Sequence, residues 1–213
     1  MQTPPETATL RDRIIEAADR LFYRQGIRSV GVDRIAAELG ISKKTLYRCF
    51  ASKDELVLAY LEGRFRPLPS NSERPPAQQI LDNLDRLAHS LATSRADRGC
   101  AFVNALAELA EEDVEARALA ARYKDSRRLW YRDLLAQLDV DDPDTLATQL
   151  ALLVDGAYSS VLVQKHAGMA QAAIAAARIL LKNAGVAIDA AGAQKPRSGD
   201  GSRDPGARVG SPA

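Results

Sequence analysis

Residues Val32–Phe50 read VDRIAAELGISKKTLYRCF. Ile35, Ala36 and Leu39 recur at helical spacing, which predicts one small helix over Val32–Leu39. Gly40 follows at once. Glycine reaches the left-handed conformation without a Cβ penalty, so it suits the position just past a helix end. Ile41 can then fold back onto the helix it leaves, and Ser42 is a good N-cap for a second helix over Lys43–Phe50. Helix, glycine turn and capped helix make up the helix-turn-helix plan.

The second helix has two faces. Leu46 and Phe50 point inward, while Lys43, Lys44, Thr45, Tyr47 and Arg48 are left outside with no acidic residue among them. A helix start carrying the Ser42 and Thr45 hydroxyls and two lysines suits phosphate, through free N–H groups and through direct charge. The competing reading is a solvated polar face on an ordinary short helix.

The chain has 213 residues, 46% of them hydrophobic, enough for a real core in one or two domains. Charge is balanced, with 29 Lys and Arg against 28 Asp and Glu. The whole chain is therefore no polycation, and any nucleic-acid binding must come from a local patch. Arg24, Arg28, Arg34, Lys43, Lys44, Arg48 and Lys53 supply one, against Asp33 and Glu38 alone. Two cysteines, Cys49 and Cys100, cannot build a disulfide framework. No charged-then-apolar leader and no bilayer-length apolar run is visible, so a reducing cytoplasm and no membrane partner are expected. Aromatic residues make up only 5%, alanine and leucine dominate, and the predicted fold is all-α.

Outward from the helix-turn-helix, Leu10–Gln25 is amphipathic through Ile14, Ala17, Ala18, Leu21 and Phe22, and Gly26 ends it. Ser52-Lys53-Asp54-Glu55 is a capping box opening a fourth helix that runs to about Phe65. Gly26, Ile35-Ala36, Leu39-Gly40-Ile41-Ser42, Thr45-Leu46-Tyr47, Phe50, Ser52-Lys53 and Leu56 together resemble the DNA-binding domain of the tetracycline-repressor (TetR) family, over roughly residues 10–62. The resemblance implies an all-helical homodimer. A small N-terminal domain would bind double-stranded operator DNA, and a larger C-terminal domain would bind a ligand and dimerise.

Position by position, the resemblance makes Tyr47 and Lys53 phosphate contacts. It makes Lys43, Lys44, Thr45 and Arg48 the groove-facing set, with Ser42 capping the helix that carries them. The chain departs from the family in three places. Val30 and Gly31 stand where hydroxyl residues are frequent, Cys49 where histidine is common, and Lys44 where glycine or proline is frequent.

Arg66–Pro76 (RPLPSNSERPP) breaks helical periodicity and reads as a connector. The expected organisation is thus a DNA-binding domain over 1–65, a connector over 66–76, a ligand-binding and dimerisation domain over 77–185 and a disordered tail over 186–213, with about nine helices. After Pro76, a first-turn proline, Ile80, Leu84, Leu87 and Leu91 form a stripe. Cys100–Ala110 reads as a buried helix, and Asp113 can cap the next one. That helix should bury Leu119, Tyr123, Ser126, Trp130, Leu134 and Leu138 and leave Arg122, Arg127, Arg128 and Arg132 wet.

Asp142-Pro143 is an N-cap followed by a first-turn proline, Leu146–His166 then runs as a long helix, and Gly168–Asn183 forms another. Leu150–Val163 is apolar nearly all round and needs covering on every side. Leu150, Leu153, Val154, Ala157, Val161 and Ile174 are the expected dimer interface; burial within one protomer is the alternative. The family resemblance together with amphiphilic residues offers Phe102, Asn104, Tyr123, Trp130 and Tyr158 as the lining of a site for a small, largely hydrophobic effector.

Little points to an enzyme. His89 and His166 are the only histidines, Cys100 opens an apolar segment, and neither metal-ligand spacing nor a glycine-rich phosphate loop occurs. No cofactor is expected. Two functions are weighed: a ligand-responsive DNA-binding regulator, repressing or activating, and a helical small-molecule-binding protein or enzyme that has lost operator recognition. Val30-Gly31 and Cys49 keep the second open.

Overall fold

The structure, a computed structural model, describes residues 9–69, 73–93, 98–164 and 168–188. The arm expected at 1–8, the far part of the tail from 189 and His166 lie outside the described residues. Among the described residues there are nine α-helices and no strand: α1 (Leu10–Gln25), α2 (Val32–Glu38), α3 (Lys43–Cys49), α4 (Lys53–Arg64), α5 (Pro76–Ala92), α6 (Ala101–Glu108), α7 (Val114–Leu135), α8 (Pro143–Gln164) and α9 (Gly168–Asn183).

The helix ends follow local chemistry. Thr9 and Asp12 form a reciprocal capping box at the start of α1. The α2 end is a Schellman turn: the Ile41 N–H donates to the Ala36 carbonyl at 3.0 Å and the Gly40 N–H to the Ala37 carbonyl at 3.1 Å, with Gly40 at φ +65°. The Ser42 and Ser52 hydroxyls accept from the Thr45 and Glu55 N–H groups, capping α3 and α4. The Asp142 carboxylate accepts the Thr145 N–H at 3.0 Å at the start of α8.

Asp113 departs from its expected part. It precedes α7 but makes no side-chain cap bond, and its carboxylate instead accepts the Ala110 N–H at 2.7 Å. It closes the α6–α7 turn rather than the helix start.

Two apolar cores divide the described chain. The first joins α1–α4 with Phe102 and Ala105 of α6 and Ala116, Leu119 and Ala120 of α7. The second joins the α5 stripe, the far half of α7, α8 and α9. The boundary thus runs across α7 and not only through the connector. Four helices alone bury a smaller share of their surface than a larger domain does, and α6 and the start of α7 add cover.

α8 corrects one expectation. Its stretch 143–163 is long and apolar enough to cross a membrane by length and composition, although only 33% of the most apolar window is buried in the protomer. No uninterrupted run announces this, because Asp155 and the serines break the sequence. Asp155 is paired with Lys124 of α7 at 2.6 Å.

Candidate nucleic-acid interface

α3 stands on the buried Leu46 and Phe50, both fully inside the first core. Ser42, Lys43, Lys44, Tyr47 and Arg48 are exposed, with Tyr47 at 41%, and Thr45 is half-buried. The Thr45 hydroxyl lies 2.8 Å from the Ser42 hydroxyl, so these two serve the cap as well as the surface. The helix therefore presents Lys44, Tyr47 and Arg48 outward on a rigid base, and no acidic residue lies in its first turn.

Two of the expected cations are engaged elsewhere. The Lys43 ammonium lies 3.0 Å from the Asp33 carboxylate across the turn, and that bond holds it above its usual pKa. The pair is exposed, so water screens it and a phosphate can compete for the ammonium. The Lys53 ammonium donates to the Ile27 carbonyl at 2.6 Å and is half-buried, 6.0 Å from the Phe22 ring centroid. Lys53 thus ties the α4 start to the loop after α1, a backbone partner invisible to spacing.

A second set of bonds joins this end to α6. The Tyr23 hydroxyl donates to the Gly99 carbonyl at 2.9 Å, and Arg98 donates to the Arg24 carbonyl at 2.8 Å. The Glu108 carboxylate accepts the Arg28 N–H at 2.8 Å, and the Arg28 Nε donates to the Glu108 carbonyl at 2.5 Å. Gly26 at φ +92° lets Glu108 approach, since a Cβ there would meet its carboxylate at 2.8 Å.

The five expected effector contacts separate into three places. Phe102 and Tyr123 stack at 4.1 Å and 16°, and Phe65 meets the Tyr123 ring edge-on at 5.5 Å. Tyr158 is brought to the same neighbourhood through Arg127, whose guanidinium lies 5.6 Å from the Tyr123 centroid and 5.7 Å from that of Tyr158. Asn104 is committed to the loop before α6, donating to the Arg98 carbonyl at 2.6 Å. Trp130 donates to the Pro69 carbonyl at 2.6 Å and borders a separate cavity of about 920 Å³ with Gln79, Arg86 and His89.

Helical spacing puts Arg127 on the wet side of α7, yet it is folded into the aromatic cluster. Its long apolar stem lets the head reach inward from a position at the edge of the stripe. Arg122 is exposed, Arg128 pairs with Asp125 and Asp144, and Arg132 with Asp133, in keeping with a solvated face.

The expected dimer residues also move. Leu150, Val154, Ala157, Val161 and Ile174 are buried in the protomer's own second core, and Leu153 is half-buried against it. α7 and α9 already cover that side of α8. The open side carries Leu152, Gly156, Ser159 and Val163.

A buried-capped helix-turn-helix at one end of an otherwise all-helical chain defines a helix-turn-helix protein of the two-part, all-α class. Residues 14–60 match the sequence profile of the bacterial regulatory proteins of the tetR family. The chain is 28% identical to a TetR-family transcriptional regulator from Streptomyces coelicolor, with a TM-score of 0.75 over 82% of this chain and 95% of that one. A Saccharomonospora viridis protein crystallised with choline is 25% identical, with a TM-score of 0.63 over 81% and 95% of the two chains. An uncharacterized HTH-type transcriptional regulator of Mycobacterium tuberculosis is 34% identical over 88 residues, 41% of this chain. That match spans 43% of the relative's length. The likeness to the tetR family thus rests on residues 14–60 in sequence and extends over most of the chain in fold.

Proposed function

We propose that this chain is a transcriptional regulator that binds a near-palindromic operator as a homodimer, represses by excluding polymerase, and is released by a small, largely hydrophobic effector in the cytoplasm. The observation that carries the reading is the face of α3. Lys44 and Arg48 are exposed on a capped, buttressed helix, and no ion pair engages either among the described residues. Two such helices, one per protomer, would enter successive major grooves.

Dimer pairing falls to the open sides of α8 and α9. Leu152, Gly156, Ser159 and Val163 recur at i, i+4, i+7 and i+11 on α8, and Gly168, Ala172, Ala175 and Ile179 do the same on α9. Small residues flanked by larger apolar ones let helices approach closely, and two stripes from each of two protomers make a four-helix interface. The aromatic cluster at Phe102, Tyr123 and Tyr158 is the effector's place in this reading. It lies beside α6 and the loop before it, whose bonds to Arg28 and to Tyr23 and Arg24 would pass a shift to the DNA-binding end.

The test is fluorescence anisotropy with duplex DNA from upstream of the chain's own gene, across a salt series. Wild type should bind with a steep salt dependence. Lys44→Ala with Arg48→Ala should weaken binding and make the log–log salt slope shallower by about 1 for every phosphate left unneutralised. Unchanged affinity and slope would remove α3 as the contact surface.

A further inference from the structure

Arg127 is under-partnered. Its guanidinium carries five N–H donors in a rigid fork. The NH2 nitrogen donates to the Tyr123 hydroxyl at 3.1 Å, and two tyrosine rings flank the group. No carboxylate lies within ion-pair distance of it among the described residues. The nearby acid on α8, Asp155, is held by Lys124 at 2.6 Å. Burial pushes the Tyr123 phenol up, so at neutral pH it is an uncharged acceptor, and the negative charge that reaches Arg127 is that of Asp155, shared with Lys124. Arginine does not escape by losing its proton.

Ring faces stabilise such a cation only in part. A guanidinium whose nearest acid is held by another cation keeps donors free for a ligand, and the matching partner is planar and bidentate. The half-buried Phe65 and Tyr123 beside it offer ring surface for a hydrophobic body, with Phe102 buried and stacked behind Tyr123. A cationic ligand would meet a cation already seated over the rings.

We propose that Arg127 anchors the carboxylate of an otherwise apolar effector, whose body lies against Phe65, Tyr123 and Tyr158. This rests on the ligand-responsive reading above and names the chemistry of its ligand. Arg127 is the specificity determinant: an amide of the same shape binds more weakly, and an ammonium is rejected.

The experiment uses the full chain without DNA. Octanoate and benzoate, octanamide and benzamide, and octyltrimethylammonium are titrated by calorimetry and by the fluorescence of Trp130, the sole tryptophan, three residues from Arg127. The acids should bind at least about tenfold tighter than their amides, and the ammonium should not bind. Arg127→Gln should lower acid affinity about tenfold and leave amide binding unchanged, and Arg127→Lys should keep part of the preference.

Failure of both acids to bind wild type overturns the proposal. So does equal affinity for acid and amide, or an acid preference that survives Arg127→Gln. If Arg127→Gln does not fold, the wild-type preference and the Arg127→Lys titration still decide. DNA is absent from this assay, so loss of operator recognition and loss of the carboxylate site are read separately.

Discussion

Gly31 shows how one side chain sets the start of a helix. It stands at the N-cap of α2 with φ −81° and ψ 156°, an ordinary extended conformation, and makes no side-chain cap bond. A Cβ there meets nothing within 4 Å. Gly31→Ser should therefore fit without strain, cap α2 and restrict the unfolded chain. The expected gain is about 0.5–1 kcal/mol, read as a rise in the urea midpoint at constant m. It also places a hydroxyl where the family often has one, so operator affinity should rise in parallel. Gly26 is the contrast. At φ +92° and against the Glu108 carboxylate, Gly26→Ala should destabilise the fold. Residues of this kind are legible in a sequence, because caps and turns are decided by one residue and its neighbours. Gly40, Ser42, Ser52 and Asp142 all read correctly for that reason. Arg127 does not, and the Ile27 carbonyl is not legible as a partner of Lys53, because a long cationic side chain can turn inward or outward from the same backbone position. Only the partners it finds, two tyrosines or the Ile27 carbonyl, settle which.

Elements are fixed by periodicity, and the helices are legible to within a residue or two at most ends. What they pack against is less so. α6 reads as a buried helix, yet nothing in CAFVNALAELA says that Phe102 and Ala105 complete the DNA-binding end's core. That depends on contacts far apart in the chain, such as Glu108 with Arg28. Glu108→Ala should remove the acceptor for the Arg28 N–H and cost about 1 kcal/mol of stability. Its sharper effect should be on coupling. Effector-driven release from DNA should weaken while effector affinity measured without DNA stays unchanged. Equal release in variant and wild type would show that α6 does not carry the signal by this bond. The start of α8 makes a pH-dependent prediction. The Thr145 N–H bonded to Asp142 holds that carboxyl below its ordinary value of 3.8. A lowered folded pKa stabilises above the unfolded value, and that stability is lost as pH falls through the folded one. Asp142→Asn keeps the cap without the titration, so its melting temperature should fall less than that of wild type between about pH 4 and pH 2.

At the scale of the whole molecule, assembly turns on what covers α8 and α9. The apolar pattern of this helix pair demands cover, but it does not say which side the protomer itself supplies. The side packed on α7 and α9 takes Leu150, Val154, Ala157 and Val161. The opposite side leaves Leu152 65%, Val163 82% and Ile179 60% exposed around Gly156, Ser159, Ala172 and Ala175. On the proposed two-fold pairing of these stripes, Gly156 would lie at a helix crossing, where backbones approach most closely. Gly156→Leu separates folding from assembly. Within the protomer the new side chain starts into open space, and leucine favours a helix over glycine, so the variant should fold at least as well. Across the interface it should force the helices apart and weaken the dimer by about 1–3 kcal/mol, seen as a shift toward monomer in sedimentation at low concentration. Val163→Glu combined with Ile179→Glu should break the pair outright and reduce DNA binding to that of a single half-site. If both variants remain dimers as tight as wild type, the stripes face solvent or another partner. The spacing of the two recognition helices must then be set through different contacts.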